Sequence, residues 1–277
     1  MAVLKIDQTP SVLIVDVDDT LIRSNILFEQ ILKILKTKPL YAFYLPFWLM
    51  RGVAHLKHNM SALVTIHPDL LPYREEVLKI IDQARSRNQR VILASASNER
   101  VVAAISKHLG LHEAVIASTV NQNIKGRSKL LAIKNRLNNC DFTYIGDSNS
   151  DVEVWRECQQ AIAVNPSTKT LMSLKKTSAT YDIIRDKRST VSAVFKQIRV
   201  IQWIKNGLIF VPLLAAHHFF EFSQWHCAAT AALSFSLFAS SVYVMNDLLD
   251  VESDRAHARK RRRPFASGDL PISWGLI

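Results

Sequence analysis

Cysteine is scarce in this sequence: Cys140, Cys158 and Cys227 are the three in 277 residues. They are odd in number and lack metal-ligand spacing, so neither a disulfide framework nor a zinc site is expected. The first ten residues carry Lys5 and Asp7 and have no long apolar stretch, so no secretory signal peptide is expected there. Charge is missing altogether from residues 222–246, a stretch long enough to cross a bilayer. That gap argues against a single water-soluble globule. No basic patch interleaved with aromatics is seen either, so the net charge of +11 is not read as a nucleic-acid surface.

The positive charge is concentrated instead. Residues 169–205 hold nine Lys/Arg against two Asp, whereas residues 206–277 balance at six against six. The basic stretch leads into the apolar region, where Lys and Arg favour the cytoplasmic face and anionic headgroups.

Up to about residue 205 the chain alternates between two patterns. Residues 11–15, 91–94, 114–117, 142–145 and 161–164 are short apolar runs that read as buried strands. Residues 75–87, 99–109 and 129–137 carry apolar positions three and four apart and read as helices. Such alternation predicts a parallel α/β sheet with helices on both faces and ligands at the carboxyl ends of the strands. At those ends stand Asp16-Val17-Asp18-Asp19-Thr20, Ser95-Ala96-Ser97 and Gly146-Asp147-Ser148-Asn149-Ser150-Asp151, with Lys129 at the start of a helix. Carboxylates converging on one crevice repel unless a cation sits among them, and oxygen donors suit a hard ion such as magnesium. With Lys129 and the Ser95 hydroxyl opposite, the crevice is suited to a phosphoryl group. Read singly, an aspartate after a strand is also a turn residue or a helix cap.

Taken in order, these four motifs resemble the haloacid dehalogenase superfamily of phosphotransferases, over about residues 10–175. The resemblance implies a Rossmannoid parallel sheet with an inserted helical cap. It implies that Asp16 is the nucleophile that forms an aspartyl-phosphate, and that Asp18 is the general acid and base. Thr20, Ser95 and Lys129 would hold the phosphoryl oxygens, and Asp16, Asp147 and Asp151 would hold Mg2+. The substrate would be a phosphorylated small molecule. Asp19 stands where the family frequently has glycine.

The cap is expected over about residues 24–72, with helix-like stretches at 26–36 and around 53–64. Within it, residues 40–50 (LYAFYLPFWLM) are aromatic and uncharged. They read either as the cap's own core or as a surface that touches lipid.

Residues 207–220 and 222–246 read as two spanning helices, a hairpin that returns the chain to its starting side. Trp203 and Trp225 would sit at opposite membrane faces, and His217 and His218 would be interfacial. The basic stretches on either side of the hairpin place the soluble part in the cytoplasm. Beyond the second helix, Asn246, Asp250 and Asp254 are four apart and share one helix face. They could hold a magnesium-bound diphosphate, or form a solvated helix end with its counter-charges.

The segment NDLLDVESD, followed by HARKRRRPFASG, resembles the first aspartate-rich motif of the UbiA prenyltransferase superfamily, in particular its decaprenyl-phosphate phosphoribosyltransferase subgroup. This resemblance implies that Asn246, Asp247, Asp250 and Asp254 bind the magnesium-diphosphate, with Lys205, Lys260, Arg262 and Arg263 as further phosphate contacts. It implies a polyprenyl phosphate or prenyl diphosphate lipid as partner. The superfamily's later helices and second motif are not in this sequence, which reads as the first part of a longer protein. The expected organisation is a phosphatase domain over residues 1–180, a basic juxtamembrane linker over 181–203 and a partial UbiA-type all-α membrane domain over 204–277. The whole is expected to be a multi-pass protein of the cell membrane. The alternatives are a membrane-anchored phosphatase alone, or a prenyl transferase acting on an aromatic acceptor.

Overall fold

The computed structural model describes residues 12–138, 140–177, 179–186, 190–216 and 221–275. The readings made for the first ten residues and for His217 and His218 lie outside the described residues. The fold divides into two compact units, which meet in the sequence at Lys187 and Arg188.

The first unit is built on six strands: β1 (Val12–Val15), β2 (Arg90–Asn98), β3 (Ile116–Ser118), β4 (Phe142–Gly146), β5 (Gln160–Val164) and β6 (Thr180–Ile184). All pair in parallel, in the order β3-β2-β1-β4-β5-β6. Five were expected. The sixth, TYDII, was missed because it is a largely exposed edge strand with no continuous apolar run. Between β1 and β2 the cap inserts α1 (Ile26–Thr37), α2 (Leu45–Met50) and α3 (Val53–Leu63). The remaining crossovers carry α4 (Glu75–Ser86), α5 (Glu99–His108), α6 (Arg127–Leu137), α7 (Val152–Trp155) and α8 (Thr168–Leu174).

Strand β1 shows why the sheet is buried on both faces. Its sequence VLIV is buried at every position, and successive side chains point to opposite sides. Leu13 and Val15 enter a core with Val77 and Ile81 of α4 and Val102 and Ile105 of α5. Val12 and Ile14 enter a second core with Ile133 of α6 and Val154 and Trp155 of α7. The chain builds outward from β1 through β2 to β3, then returns to place β4 on the other side of β1. That reversal opens a crevice at the carboxyl ends of β1 and β4.

The cap has a small core of its own, Ile34, Leu56, Met60 and Val64, against which Leu45 and Trp48 pack. The rest of residues 40–50 does not join it: none of the residues in Pro39–Tyr44 or in α2 is buried. The cap-core reading of this segment therefore holds only for Leu45 and Trp48. Its other large side chains lie outside that core.

The second unit contains α9 (Thr190–Gln197), a tightly wound turn over Val200–Phe210, α10 (Val211–Ala215), α11 (Phe222–Leu249), α12 (Val251–Ala256) and α13 (Pro264–Ser267). Helix α11 has 28 residues with a mean hydropathy of 1.5 and is long and apolar enough to cross a membrane. The first expected span is not a straight helix. α9 and residues 200–215 reach spanning length and apolarity only together, bent by 43°. The bend has a local cause: Arg199, at the break between the two segments, adopts a left-handed conformation at φ 54°. Ser236 and Ser240, one turn apart on α11, fasten the bent segment. Asn206 donates to Ser236 Oγ at 2.7 Å, Trp203 Nε1 donates to Ser240 Oγ at 3.0 Å, and the Ser240 hydroxyl donates to the Ile198 carbonyl at 2.6 Å.

Candidate active site

Asp16 follows β1 directly and is buried. The Val17 N–H donates to its Oδ1 at 2.9 Å, and Lys129 Nζ, from the first turn of α6, lies 3.1 Å from the same oxygen. Lys129 also lies 3.2 Å from Asp151 Oδ1 and donates to the Tyr144 hydroxyl at 2.9 Å. Tyr144 in turn donates to Asp151 Oδ1 at 2.7 Å, and the Ser148 backbone N–H and hydroxyl donate to Asp151 Oδ2. One buried ammonium is thus shared by two buried carboxylates.

The turn after Asp16 aims the next motif residues. Asp18 is extended and Asp19 is left-handed at φ 56°, a region that aspartate enters more readily than most residues. Arg74 secures the turn from behind by donating to the carbonyls of Thr20 and Asp19 at 3.0 and 3.1 Å. Asp18 then reaches β2, where the hydroxyls of Ser95 and Ser97 both donate to its Oδ2, at 3.0 and 2.6 Å. The Ile26 N–H donates to its other oxygen at 2.7 Å. Thr20 donates to Asp147 Oδ1 through a long hydrogen bond of 3.4 Å.

Asp16, Asp147 and Asp151 each offer an oxygen, all within 4.8 Å of one another. Burial pushes the Asp16 carboxyl up to about 7; Lys129 pulls against this, while Asp151 and Asp18 add to it. Burial, then the charges of Asp16 and Asp151, raise Asp147 well above the usual carboxylate range. Burial also pushes Asp151 upward, but Lys129 and the hydrogen bonds from Tyr144 and Ser148 outweigh it and hold this carboxyl below its ordinary value. Two of three clustered carboxyls thus carry charge at a cost that a cation would relieve, and hard oxygen donors suit magnesium. Gly146 is required here: a Cβ at this position would lie 2.8 Å from the Tyr144 ring and 2.9 Å from the Asp151 carboxyl carbon.

Residues 36–156 match the family of haloacid dehalogenase-like hydrolases. The match begins downstream of Asp16, and the fold supplies what it omits by setting β1 beside β4 with Asp16 against Lys129. The chain carries a haloacid dehalogenase-like hydrolase domain. A solved structure of a protein of unknown function from Bordetella pertussis Tohama I shares this fold, at 16% identity and a TM-score of 0.50, over 63% of this chain and 98% of that one. Protein y4nM of Sinorhizobium fredii is 32% identical over 267 residues, 96% of this chain and 51% of that protein. The decaprenyl-phosphate phosphoribosyltransferase of Mycolicibacterium smegmatis is 43% identical over 88 residues, 30% of this chain and 28% of that protein. The chain therefore spans about half the length of y4nM and a smaller part of the transferase.

A cavity of about 480 Å³ opens above Asp16 and Asp18 in the hydrolase domain. Its lining adds three groups that sequence reasoning missed, Lys57, Asn123 and Lys125. Lys57 comes from the cap and donates to the Ala96 carbonyl at 2.6 Å and to Asn123 Oδ1 at 3.3 Å. Burial pushes its ammonium below the ordinary value, against the opposing pull of Asp18. No local motif marks Lys57, since only the folding of the cap over the sheet brings it here. Ser97 had a visible signal, lying two residues from Ser95 on the same strand face.

The second unit holds its acidic residues differently. Asp247 and Asp254 are buried, and one guanidinium nitrogen of Arg263 lies 2.8 Å from each. Asp247 also accepts from Gln197 at 2.9 Å and from Arg199, which stacks over the Tyr243 ring at 4.2 Å. Lys260 Nζ is 4.0 Å from Asp254. Helix α11 ends at Leu249 and α12 starts at Val251, yet the Asp250 N–H donates to the Asn246 carbonyl at 2.9 Å and the Asp254 N–H to the Asp250 carbonyl at 2.7 Å, so the four-residue spacing continues across the join. Asn246, Lys205 and the Arg262 side chain are exposed, and Asp250 is half-buried.

Proposed function

We propose that this chain is a magnesium-dependent phosphoric-ester hydrolase held at the cytoplasmic face of the cell membrane and joined to a UbiA-type polyprenyl transferase portion. One observation carries the hydrolase reading: Asp16 beside Lys129, with Asp18 held by Ser95 and Ser97, beneath a cavity that also presents Lys57 and Lys125. Three ammonium groups around one carboxylate nucleophile favour a phosphate dianion.

The Asp16 carboxylate attacks phosphorus and the bond from phosphorus to the alcohol oxygen breaks, with Asp18 giving that oxygen a proton. Water then attacks the aspartyl-phosphate, Asp18 takes its proton, and inorganic phosphate leaves with Asp16 restored. Lys129 favours the ionised form of Asp16 that burial opposes. Magnesium held by Asp16, Asp147 and Asp151 would supply positive charge to the phosphoryl oxygens.

For the joined reaction, the transferase portion moves phosphoribose from phosphoribosyl diphosphate to a polyprenyl phosphate, and the hydrolase domain removes the 5-phosphate. The similarity to decaprenyl-phosphate phosphoribosyltransferases and the apolar helix α11 support this reading. The test uses the full chain in detergent with a panel of phosphate monoesters that includes sugar phosphates. Phosphate release that needs magnesium and is lost in Asp16→Asn supports the hydrolase; a folded protein that releases none sinks it.

A second reading, in which the membrane part only anchors the hydrolase, is favoured by Arg263. Arg263 pairs with both Asp247 and Asp254, and Arg199 adds a second cation on Asp247, so these carboxylates have partners within the chain. Hydrolysis without transfer from phosphoribosyl diphosphate to polyprenyl phosphate would select the anchor.

A further inference from the structure

We infer that the outer surface of the cap, residues 40–53, docks on an anionic bilayer surface. Leu40, Phe43, Phe47 and Met50 are 75%, 74%, 65% and 84% exposed, although each is large and apolar. They are not inner faces awaiting the rest of the cap, because that role is taken by Leu45 and Trp48. The exposed rings of Tyr41 and Tyr44 lie with centroids 5.9 Å apart, and Tyr44 stacks on Trp48 at 6.1 Å, which anchors the patch to the cap core. Contiguous apolar patches of this kind mark a contact with a partner.

The flanking charge selects the partner. Across residues 30–68 every charged side chain is basic: Lys33, Lys36, Lys38, Arg51 and Lys57. Lys36, Lys38 and Arg51 are exposed at the two ends of the patch. Aromatic and aliphatic side chains bordered by cations, with no carboxylate among them, are the complement of a headgroup layer carrying negative charge over a hydrocarbon boundary. The second unit adds a reason why modest affinity suffices: a chain held in the bilayer by α11 meets that surface at high effective concentration. The surface reaches Val53, which is itself exposed and lines the cavity above Asp16. The docking does not depend on which ester is cleaved.

The test places a spin label at Phe43→Cys in the full chain, with Cys140→Ser and Cys227→Ser removing the two exposed thiols. The protein is reconstituted into phosphatidylcholine vesicles with or without phosphatidylglycerol, and a second label at the exposed Met172 is the reference. With phosphatidylglycerol, position 43 is expected to collide with dissolved oxygen and to be shielded from a water-soluble nickel complex, while position 172 meets nickel freely. Salt of about 1 M, where the screening length falls to about 3 Å, is expected to restore nickel access at 43. Equal nickel access at 43 and 172 in anionic vesicles overturns the inference. So does shielding of 43 from both reagents, which means that a second copy or another protein covers the patch. Immersion that is unchanged in pure phosphatidylcholine also overturns it, because the charge then does nothing. An unchanged melting temperature for each labelled variant excludes misfolding as the cause of any outcome.

Discussion

Lys57 of the cap donates a hydrogen bond to the Ala96 carbonyl near the carboxyl end of β2, at 2.6 Å. The contact ties the cap to the sheet through a cation that also lines the cavity above Asp16. The contact between cap and sheet and the positive lining of the cavity therefore share one side chain.

Lys57→Met is expected to lower kcat/KM for phosphate monoesters by about tenfold or more, mostly through KM. A charge-assisted hydrogen bond is worth about 1.5–3 kcal/mol, and Asp16 and Asp18, the proposed reacting groups, stay in place. Steady-state kinetics check this; a fall in kcat with KM unchanged would remove Lys57 from substrate binding.

Lys129→Met is expected to destabilise the hydrolase domain strongly as well as abolish activity. It leaves Asp16 and Asp151 buried without their shared cation, and breaking a buried pair in this way costs about 3–5 kcal/mol. Asp16→Asn removes one charge from the same crowded cluster and should unfold at or near the wild-type denaturant concentration. Parallel denaturant curves of the three proteins decide this.

Gly146→Ala is expected to lose activity and about 1–3 kcal/mol of stability, the usual cost of overpacking a filled interior. The added carbon meets Tyr144 and Asp151 at once, and both belong to the set that holds Lys129. A variant with normal activity would show that this set relaxes without consequence.

Asp186 gives a pH dependence outside the crevice. It pairs with Arg74 and with Arg23, and accepts from Asn165. Burial pushes its carboxyl up, but the Arg74 hydrogen bond and charge, with Asn165 and Arg23, more than offset this and hold it below the usual 3.8. A carboxyl depressed in the folded state stabilises fully above its unfolded value, and that stabilisation is lost as pH falls through the folded value. The melting temperature of the wild type should therefore exceed that of Asp186→Asn at neutral pH, and the gap should shrink below about pH 4. A gap that is constant with pH would show that the pair contributes through packing alone.

Much of the first unit is written in local pattern. VLIV followed by Asp16 dictates a buried strand with a carboxylate at its end, because a continuous short apolar run and a charged stop are both properties of adjacent residues. The five helices read from apolar periodicity start and stop within two residues of it, as at Glu75–Ser86 and Ile26–Thr37, whereas the short α2, α7 and α8 are too brief to show a period. The four motifs were legible for the same reason, each being a short run at a strand or helix end.

Tertiary structure decided the rest. Lys57 and Asn123 meet above Ser118, with no spacing in the chain that marks them, because the cap folds back over β2. In the uncharged run at residues 40–50, composition alone left both packing and exposure open. The small core of Ile34, Leu56, Met60 and Val64 has room for Leu45 and Trp48 and leaves the other large side chains outside. In the second unit the aspartate spacing suggested one helical face. What the spacing did not show is that Arg263, from beyond α12, bridges Asp247 and Asp254, since a buried carboxylate needs a cation that only the fold can deliver.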